Sequence, residues 1–252
     1  MTDEAELLKK RFTELANRAY NSGVFTFTSF LGLSEQSAFA EIKRSLGSIP
    51  YTAFGGAPSC ERVVIRFGSE EDAVYEMPFP ISVIKAEPAS QKYADKLTHR
   101  DFLGAILNLG IEREMLGDIV IIDNVGYIFA LDSIADYIVE NLIRVKHTDI
   151  RREIVDALPE GELFKTERRT VQVSGERLDA IVARVFSLSR DDAQSLFKKR
   201  LVFASGRQID STSYTPKPDE VISVRTYGRF IYRGFASNTR KGKMNIEIDV
   251  YT

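Results

Sequence analysis

The residues best suited to chemistry in this chain are basic side chains in its last third. These candidate nucleic-acid contacts are Arg177, Ser189, Arg190, Lys198, Lys199, Arg200, Arg225 and Arg229. Guanidinium groups bind phosphate oxygens through paired hydrogen bonds and also stack on bases, whereas an ammonium group acts as a point charge. This combination of residue types favours contact with a nucleic-acid backbone over covalent catalysis.

The distribution of charge along the chain supports the same interpretation. Residues 165–252 contain 17 Lys and Arg against 10 Asp and Glu, a net charge of +7. Residues 1–164 contain 17 basic and 26 acidic residues, a net charge of -9. A basic segment in an otherwise acidic chain indicates an anionic partner, and phosphates that it neutralises release counterions. The alternative is a basic face that only keeps the protein soluble.

Metal-dependent and cofactor-dependent chemistry is not expected. Cys60 is the only cysteine, which excludes an intrachain disulfide and cysteine-based zinc sites, and His99 and His147 are the only histidines. We therefore predict no metal, no cofactor and a reducing, cytoplasmic location. The first twelve residues are charged and amphipathic, so no secretory signal is expected, and no apolar run is long enough for membrane insertion.

A kinase-like tripeptide, His99-Arg100-Asp101, has no support from the rest of the chain. A protein kinase also needs a glycine-rich loop, a strand lysine and a DFG motif, and none is present. A Ser/His/Asp hydrolase is not supported either, because neither histidine lies in a recognisable motif. His99 and Arg100 are retained only as possible RNA contacts in the middle of the chain.

The elements that must position the basic residues form a small α+β unit. VQVS is a short strand, and residues 176–200 predict two helices separated by a Ser-Leu-Ser turn, the second with Ser189 as its N-cap. LVFA, RQI, EVISVRT, RFIYRGFA and MNIEIDVY read as strands, with Ser205-Gly206 as a hairpin turn. Two helices on such a sheet would gather six side chains on one concave face. These are Arg177, Arg190, Lys198, Lys199, Arg225 and Arg229.

The middle of the chain predicts the order β-α-β-β-α-β, the ferredoxin-like plan that RNA-recognition motifs share. Its first strand is ISVIKAEP at 81–88, Thr98 caps its first helix, and a hairpin turn lies at Asn124-Val125. Tyr127 and Phe129 fall on one face of the following strand, where they could stack on bases. The alternative is that both rings are core, which the missing basic residue before Gly126 favours.

The chain as a whole is therefore predicted to be α+β with three regions. Residues 1–76 form a mostly helical α/β region, in which Pro50 and GGAP at 55–58 mark a loop. Residues 77–160 form the ferredoxin-like, RNA-recognition-motif-like domain. A polar linker around Pro159 and Gly161 leads to the C-terminal RNA-binding region at 168–252.

Residues 170–235 resemble the S-four domain, a small RNA-binding fold named after a ribosomal protein of the small subunit. The resemblance rests on Arg177-Leu178-Asp179, on Ser189-Arg190 followed by Ala193, on the basic helix end, and on VISVRTYGRF at 221–230. It implies that the basic residues named above contact structured RNA. Two positions depart from the family pattern. Arg200 stands where a helix-ending glycine is typical, and Pro218-Asp219-Glu220 replaces the usual Gly-Asp.

A second resemblance runs through nearly the whole chain. HRDFLGAILNLGIEREMLGDI at 99–119, the hairpin VIIDNVGYIFAL that follows, and the S-four-like region C-terminal to both are similar to the YlmH family of bacterial proteins. The resemblance implies an RNA-recognition-motif-like middle domain and association with ribosomal RNA and tRNA on the large ribosomal subunit. For some members it implies ribosome quality control in translation, on stranded peptidyl-tRNA. Such a protein would be cytoplasmic, ribosome-associated and non-catalytic.

Two other functions stay open at this point. The first is an adaptor for cell-division proteins, to which the genes of the family are often adjacent. The second is an RNA-modifying enzyme, because a motif like Arg177-Leu178-Asp179 contains the catalytic aspartate of pseudouridine synthases. Here the only such motif lies inside the S-four-like region. Asp179 is better explained as a first-turn acid that favours the helix N-terminus and orients Arg177.

Overall fold

The computed structural model describes residues 3–69, 77–156, 158–159, 163–240 and 242–251. The chain divides into two compact units, Met1–Leu163 and Phe164–Thr252, called here the N-terminal and the C-terminal unit. The described residues contain six α-helices and three antiparallel sheets, which confirms the predicted α+β composition. The boundary expected at residue 76 and the linker residue Gly161 lie outside the described residues.

The N-terminal unit begins with two helices and a small antiparallel sheet. The elements are α1 (Asp3–Ser22), β1 (Thr26–Phe27), α2 (Leu33–Ile42), β2 (Tyr51–Phe54) and β3 (Val64–Phe67), with the strands in the order β1-β3-β2. Phe12, Ala16 and Ala19 recur at helical spacing and are buried against Phe39 and Phe67. Strand β2 lies where the sequence predicted only a loop, because pairing with β3 overrides the neighbouring Pro50 and glycines.

The rest of the N-terminal unit has the β-α-β-β-α-β order predicted from the sequence, with one short additional strand. The elements are β4 (Ile81–Pro88), α3 (His99–Leu107), β5 (Leu116–Ile122), β6 (Val125–Leu131), α4 (Asp132–Asn141), β7 (Arg144–Val145) and β8 (Thr148–Val155). The sheet order is β5-β6-β4-β8-β7. The turn between β5 and β6 is Asp123-Asn124, one residue before its predicted position. Both residues have positive φ, as the tightest hairpin turns require.

The two faces of this five-stranded sheet are covered by different elements. Ile128 and Ala130 of β6 are buried with residues of α3 and α4, so Tyr127 and Phe129 lie on the opposite face. Gly56, which has φ 98°, lies directly on Phe129: a Cβ added at Gly56 would come within 2.4 Å of the ring. The region that precedes β4 therefore covers the sheet face on which an RNA-recognition motif exposes its aromatic residues.

Arg62 joins these two layers of the N-terminal unit. Its Nε donates to the carbonyl of Leu116 at 2.8 Å, and its Nη2 donates to the carbonyls of Phe30 (2.9 Å) and Arg113 (3.2 Å). The Asp118 carboxylate accepts from the backbone N–H of Arg62 at 3.4 Å. One half-buried guanidinium thus satisfies three backbone carbonyls from separate segments.

The C-terminal unit consists of two helices on one six-stranded antiparallel sheet. Its elements are β9 (Thr166–Val173), α5 (Leu178–Val185), α6 (Arg190–Lys198), β10 (Val202–Ala204), β11 (Arg207–Gln208), β12 (Glu220–Val224), β13 (Gly228–Asn238) and β14 (Met244–Tyr251). The sheet order is β11-β10-β12-β13-β14-β9. Helices α5 and α6 bury Ile181, Val182 and Phe197 against Phe230 and Ile248 of the sheet. This packing fixes both ends of α6 relative to the strands.

Candidate nucleic-acid interface

Helix α6 begins as the sequence predicted. The Ser189 hydroxyl accepts a hydrogen bond from the backbone N–H of Asp192 at 3.1 Å, the geometry of an N-cap, and donates to the Asp192 carboxylate at 2.6 Å. Arg190 is the first residue of the helix and its side chain is exposed. The hydroxyl of Ser189 is therefore engaged in hydrogen bonds within the chain, whereas the side chain of Arg190 is exposed to solvent.

The other end of α6 carries three exposed cations in a fixed backbone geometry. Arg200 N–H donates to the carbonyl of Phe197 and Leu201 N–H donates to that of Leu196, both at 3.0 Å, which is the Schellman pattern of helix ends. Arg200 occupies the position where this motif usually has glycine, and its φ of 58° lies in the left-handed region. The departure from the S-four pattern at this position is thus a strained residue that places a basic side chain at the helix end.

Replacing Arg200 with glycine separates backbone strain from charge. Because a non-glycine residue in the left-handed region costs about 1 kcal/mol, we expect Arg200→Gly to raise the free energy of unfolding of the C-terminal unit by up to that amount. The same variant loses a cation, so its RNA affinity should fall. Arg200→Ala should lose affinity equally but gain no stability. Thermal unfolding and RNA titration of the two variants test this, and equal stability of both would contradict the strain assignment.

The turn between β12 and β13 lies beside the C-terminal end of α6. Arg225 N–H donates to the carbonyl of Leu201 at 2.9 Å, which places Arg225 next to Arg200. On the other side of the turn, the rings of Tyr227 and Phe186 lie 5.8 Å apart, which joins the turn to the end of α5. Arg225 is exposed, with its guanidinium 5.3 Å from the ring centre of Phe203. The α6 end and this turn therefore form one continuous basic surface.

Arg229 does not join that surface. Phe230, the next residue on β13, is fully buried beneath the helices, so Arg229 faces the opposite side of the sheet. Its guanidinium lies 4.0 Å from the ring centre of Tyr251 and 4.7 Å from that of Phe164, which is cation–π geometry. The single concave face expected from the sequence is thus divided, because strand alternation directs Arg229 away from α6.

Arg177 also has an intramolecular partner. Its Nε and Nη2 donate to the two oxygens of Asp179 at 3.1 and 2.9 Å. Asp179 is fully buried and also accepts from Gln194 at 3.2 Å. Burial acts to raise the pKa of Asp179, but the hydrogen bonds from Arg177 and Gln194 outweigh it and the pKa is lowered. Asp179 orients Arg177, as the sequence predicted, and accepts from two of its five N–H donors.

The exposed cations of α6 have no such partners. Arg177, Arg168, Arg169 and Arg233 all pair with carboxylates of the C-terminal unit. Among the described residues, by contrast, no carboxylate forms an ion pair with the basic side chains of α6 and its C-terminal end. These are Arg190, Lys198, Lys199 and Arg200. Their charge is available to an external anion such as a phosphate.

The described part of the chain has no group of three or more His, Cys, Asp or Glu side chains placed to hold a metal ion. It also has no helix long and apolar enough to cross a membrane.

Comparison with known proteins identifies a similar protein and a matching family model. "Ribosome-associated protein quality control protein P2" of Bacillus subtilis (strain 168) is 28% identical over 165 residues, which are 63% of this chain and 63% of that protein. Residues 76–157 match the family described as "Putative RNA-binding domain in YlmH". This segment of the chain belongs to the YlmH family. The chain spans less than two thirds of the length of the Bacillus relative.

A solved structure is also similar to this chain. "Cell division protein ylmH from Streptococcus pneumoniae" is 19% identical and has a TM-score of 0.48, covering 62% of this chain and 93% of that chain.

The residues matched to the YlmH RNA-binding domain contain all four middle-domain candidates. Phe129 is completely buried and Tyr127 is 9% exposed, so the alternative that both rings are core is correct and neither is open to a base. His99 and Arg100 are exposed at the start of α3. Partial desolvation, and then the charges of Arg113 and Arg100, lower the pKa of His99. The charge of Asp118 acts in the opposite direction but does not outweigh them. The lowered pKa favours the neutral form of His99, so Arg100 is the better candidate of the two for phosphate contact.

Sequence analysis did not predict a cavity in the N-terminal unit. This cavity of about 520 Å³ is lined by apolar residues of α1 and by Arg11, Arg62 and Arg113 among three glutamates. Burial, and secondarily the charge of Arg62, lower the pKa of Arg113 to about 10. Its Nη1 donates to the carbonyls of Leu116 and Gly117 at 2.7 and 3.1 Å. Arg62 lies in the loop before β3 and Arg113 in a turn before β5, where no periodic pattern marks them, so sequence analysis missed both.

Proposed function

We propose that this chain is a non-catalytic RNA-binding protein that binds ribosomal RNA and tRNA on the large ribosomal subunit during bacterial ribosome quality control. The observation that carries the proposal is the unpaired, exposed cations of α6 beside the β12–β13 turn. Within this proposal, residues 168–252 are an S-four domain and residues 77–160 are an RNA-recognition-motif-like domain.

Family membership supports the biological context. The Bacillus relative is named for ribosome-associated quality control, and the family model that matches residues 76–157 is described as RNA-binding. The charge asymmetry fits this context, because a basic C-terminal unit attracts phosphates while the acidic remainder repels them. Ribosome association of the present chain is accordingly part of the proposal.

The buried state of Asp179 supports a binding role over pseudouridine synthesis. A catalytic aspartate must reach the reacting nucleotide, whereas both oxygens of Asp179 hold Arg177 within the C-terminal unit. Mass spectrometry of RNA incubated with the protein distinguishes the two functions. A pseudouridine that forms with the wild type and not with Asp179→Asn would support an enzyme.

In this proposal the middle domain contacts RNA through a surface other than that of its central strands. The sheet face that carries Phe129 is covered, so this proposal places no base stacking on β6. The start of α3 is open to solvent and presents Arg100. Contact there would be with phosphate and would contribute less than the cation cluster on α6.

Co-sedimentation of the full chain with purified large ribosomal subunits tests the proposed function. We expect binding at low salt that weakens as the salt concentration rises, because phosphate contacts release counterions. Crosslinking followed by sequencing should place ribosomal RNA or tRNA on residues of the C-terminal unit. Absence of binding at any salt concentration, together with RNA-independent capture of cell-division proteins, would favour the adaptor function.

A further inference from the structure

The hairpin formed by β13 and β14 extends beyond the strand that precedes it. Strand β12 pairs only with Gly228–Tyr232, whereas β13 continues to Asn238 and pairs with β14 throughout. Register shifts follow Tyr232 and Phe235, and Gly234 between them has φ 120°. In the described part of the chain, the outer half of β13 therefore has one unpaired edge.

The outer part of this hairpin is basic and has no acidic residues. Between Glu220 and Glu247 the sequence contains six Lys and Arg and no Asp or Glu. Arg233, near the base, is neutralised by Asp219 and Asp249. Arg240 and Lys243, at the tip, are exposed, and no described carboxylate pairs with either. The charge at the tip is therefore available to an external anion.

Hydrogen bonds join the two described sides of the tip. Thr239 N–H donates to the carbonyl of Lys243 at 2.7 Å, and the Thr239 hydroxyl accepts from Lys243 N–H at 2.9 Å. Below the tip, the Asn245 side-chain amide donates to the Ser237 hydroxyl at 2.9 Å. A preorganised loop loses less conformational entropy on binding than a mobile one. Phe235, on the same segment, is 49% exposed.

The tip is far from the basic surface at α6. Gly228, at the start of β13, lies against Phe186 at the end of α5. From there the strand runs to Asn238, a distance of about 30 Å at the rise of an antiparallel strand. The cations at the hairpin tip are thus a second cluster, separate from Arg200 and Arg225.

We propose that the β13–β14 hairpin is a second RNA-binding element, in which Phe235 stacks on an unpaired base and Arg240 and Lys243, further along the hairpin, bind phosphates of the same RNA. Exposed aromatic side chains combined with cations are the usual platform for unpaired nucleotides. This inference rests on the proposed function and adds to it the kind of RNA that is bound. That RNA spans about 30 Å of protein surface and has an unpaired segment at the hairpin end.

The test uses three full-length variants and two RNAs. Arg240→Glu with Lys243→Glu should flatten the slope of log affinity against log salt by roughly 1.4–1.8, since each lost phosphate contact contributes 0.7–0.9. Phe235→Ser should weaken binding roughly tenfold for a duplex with a single-stranded overhang and leave the blunt duplex unaffected. Fluorescence anisotropy measures both affinities. Arg240→Gln with Lys243→Gln repeats the first test without charge reversal.

Lys43→Glu with Arg44→Glu is the charge-matched control, because both residues are exposed in the N-terminal unit. It should leave the slope unchanged. If the wild type binds RNA and the hairpin variants keep its slope and its preference for the overhang, the inference is wrong while the proposed function stands. If the wild type binds neither RNA nor large subunits, both fail.

Discussion

Reversing Arg190, Lys199 and Arg200 to glutamate should flatten the slope of log affinity against log salt by roughly 2–3, because three phosphate contacts are lost. The three side chains are exposed, and no described carboxylate pairs with them. Their charge is therefore not neutralised by any described carboxylate of the chain. We expect binding to large ribosomal subunits to weaken strongly at low salt, where each contact releases the most free energy, and less at high salt.

The fold should survive this triple substitution. Exposed positions without special backbone geometry usually change stability by under about 0.5 kcal/mol, and glutamate at Arg200 keeps the strain already present there. Circular dichroism and thermal unfolding check this point before affinities are compared.

The control for this variant is chosen from the structure. Lys9 is unsuitable because its ammonium pairs with Glu41 at 2.8 Å and Glu6 at 3.2 Å. Arg18, Lys43 and Arg44 are exposed on the N-terminal unit, so reversing all three gives the same change in net charge. Unchanged affinity and slope in the α6 variant, with its fold intact, would show that α6 does not anchor the RNA.

The features that sequence analysis predicted correctly are those set by neighbouring residues. The N-cap at Ser189 and the turn at Ser205-Gly206 depend on a few consecutive residues, and both are present. The basic end of α6 follows from helix periodicity in the same way. The surroundings of Arg229 were harder to predict, because its ring neighbours are distant in sequence. Tyr251 lies in β14, which the register of β13 against β14 brings next to Arg229, and Phe164 precedes β9.

The aromatic pair on β6 shows a second limit of sequence analysis. A strand buried on both faces and a strand with one face open to RNA have the same alternation when the open face carries aromatic residues. What decides between them is the approach of Gly56 to the ring of Phe129, some seventy residues away in sequence, and the period-two pattern contains no information about that contact. Sequence analysis also missed the role of Arg62, because its partners Phe30, Arg113 and Leu116 are distant in sequence.

Replacing Arg62 with methionine should destabilise the N-terminal unit by about 1–3 kcal/mol, since the Phe30 carbonyl is left without a donor. The carbonyls of Leu116 and Arg113 keep other donors, which are the Nη1 of Arg113 and the backbone N–H of Leu116. Methionine keeps much of the volume but none of the hydrogen bonds to Phe30, Arg113 and Leu116. Burial lowers the pKa of Arg62, which shows that its charged form is partly desolvated. The hydrogen bonds to the carbonyls offset this desolvation cost. Arg62→Lys should recover only part of the loss, because an ammonium cannot reproduce the planar fork of donors.

Hydrogen exchange measures this effect more clearly than bulk unfolding, because a chain with two compact units does not unfold in one step. Amides of β3 and β5 should exchange faster in Arg62→Met, since local opening there becomes less costly. Amides of β12 and β13 should keep their wild-type rates. Arg44→Met, at an exposed position, is the matched control and should change neither set. Wild-type exchange in β3 and β5 would mean that water replaces the guanidinium at the three carbonyls. In that case Arg62 would not be what joins the two layers of the N-terminal unit.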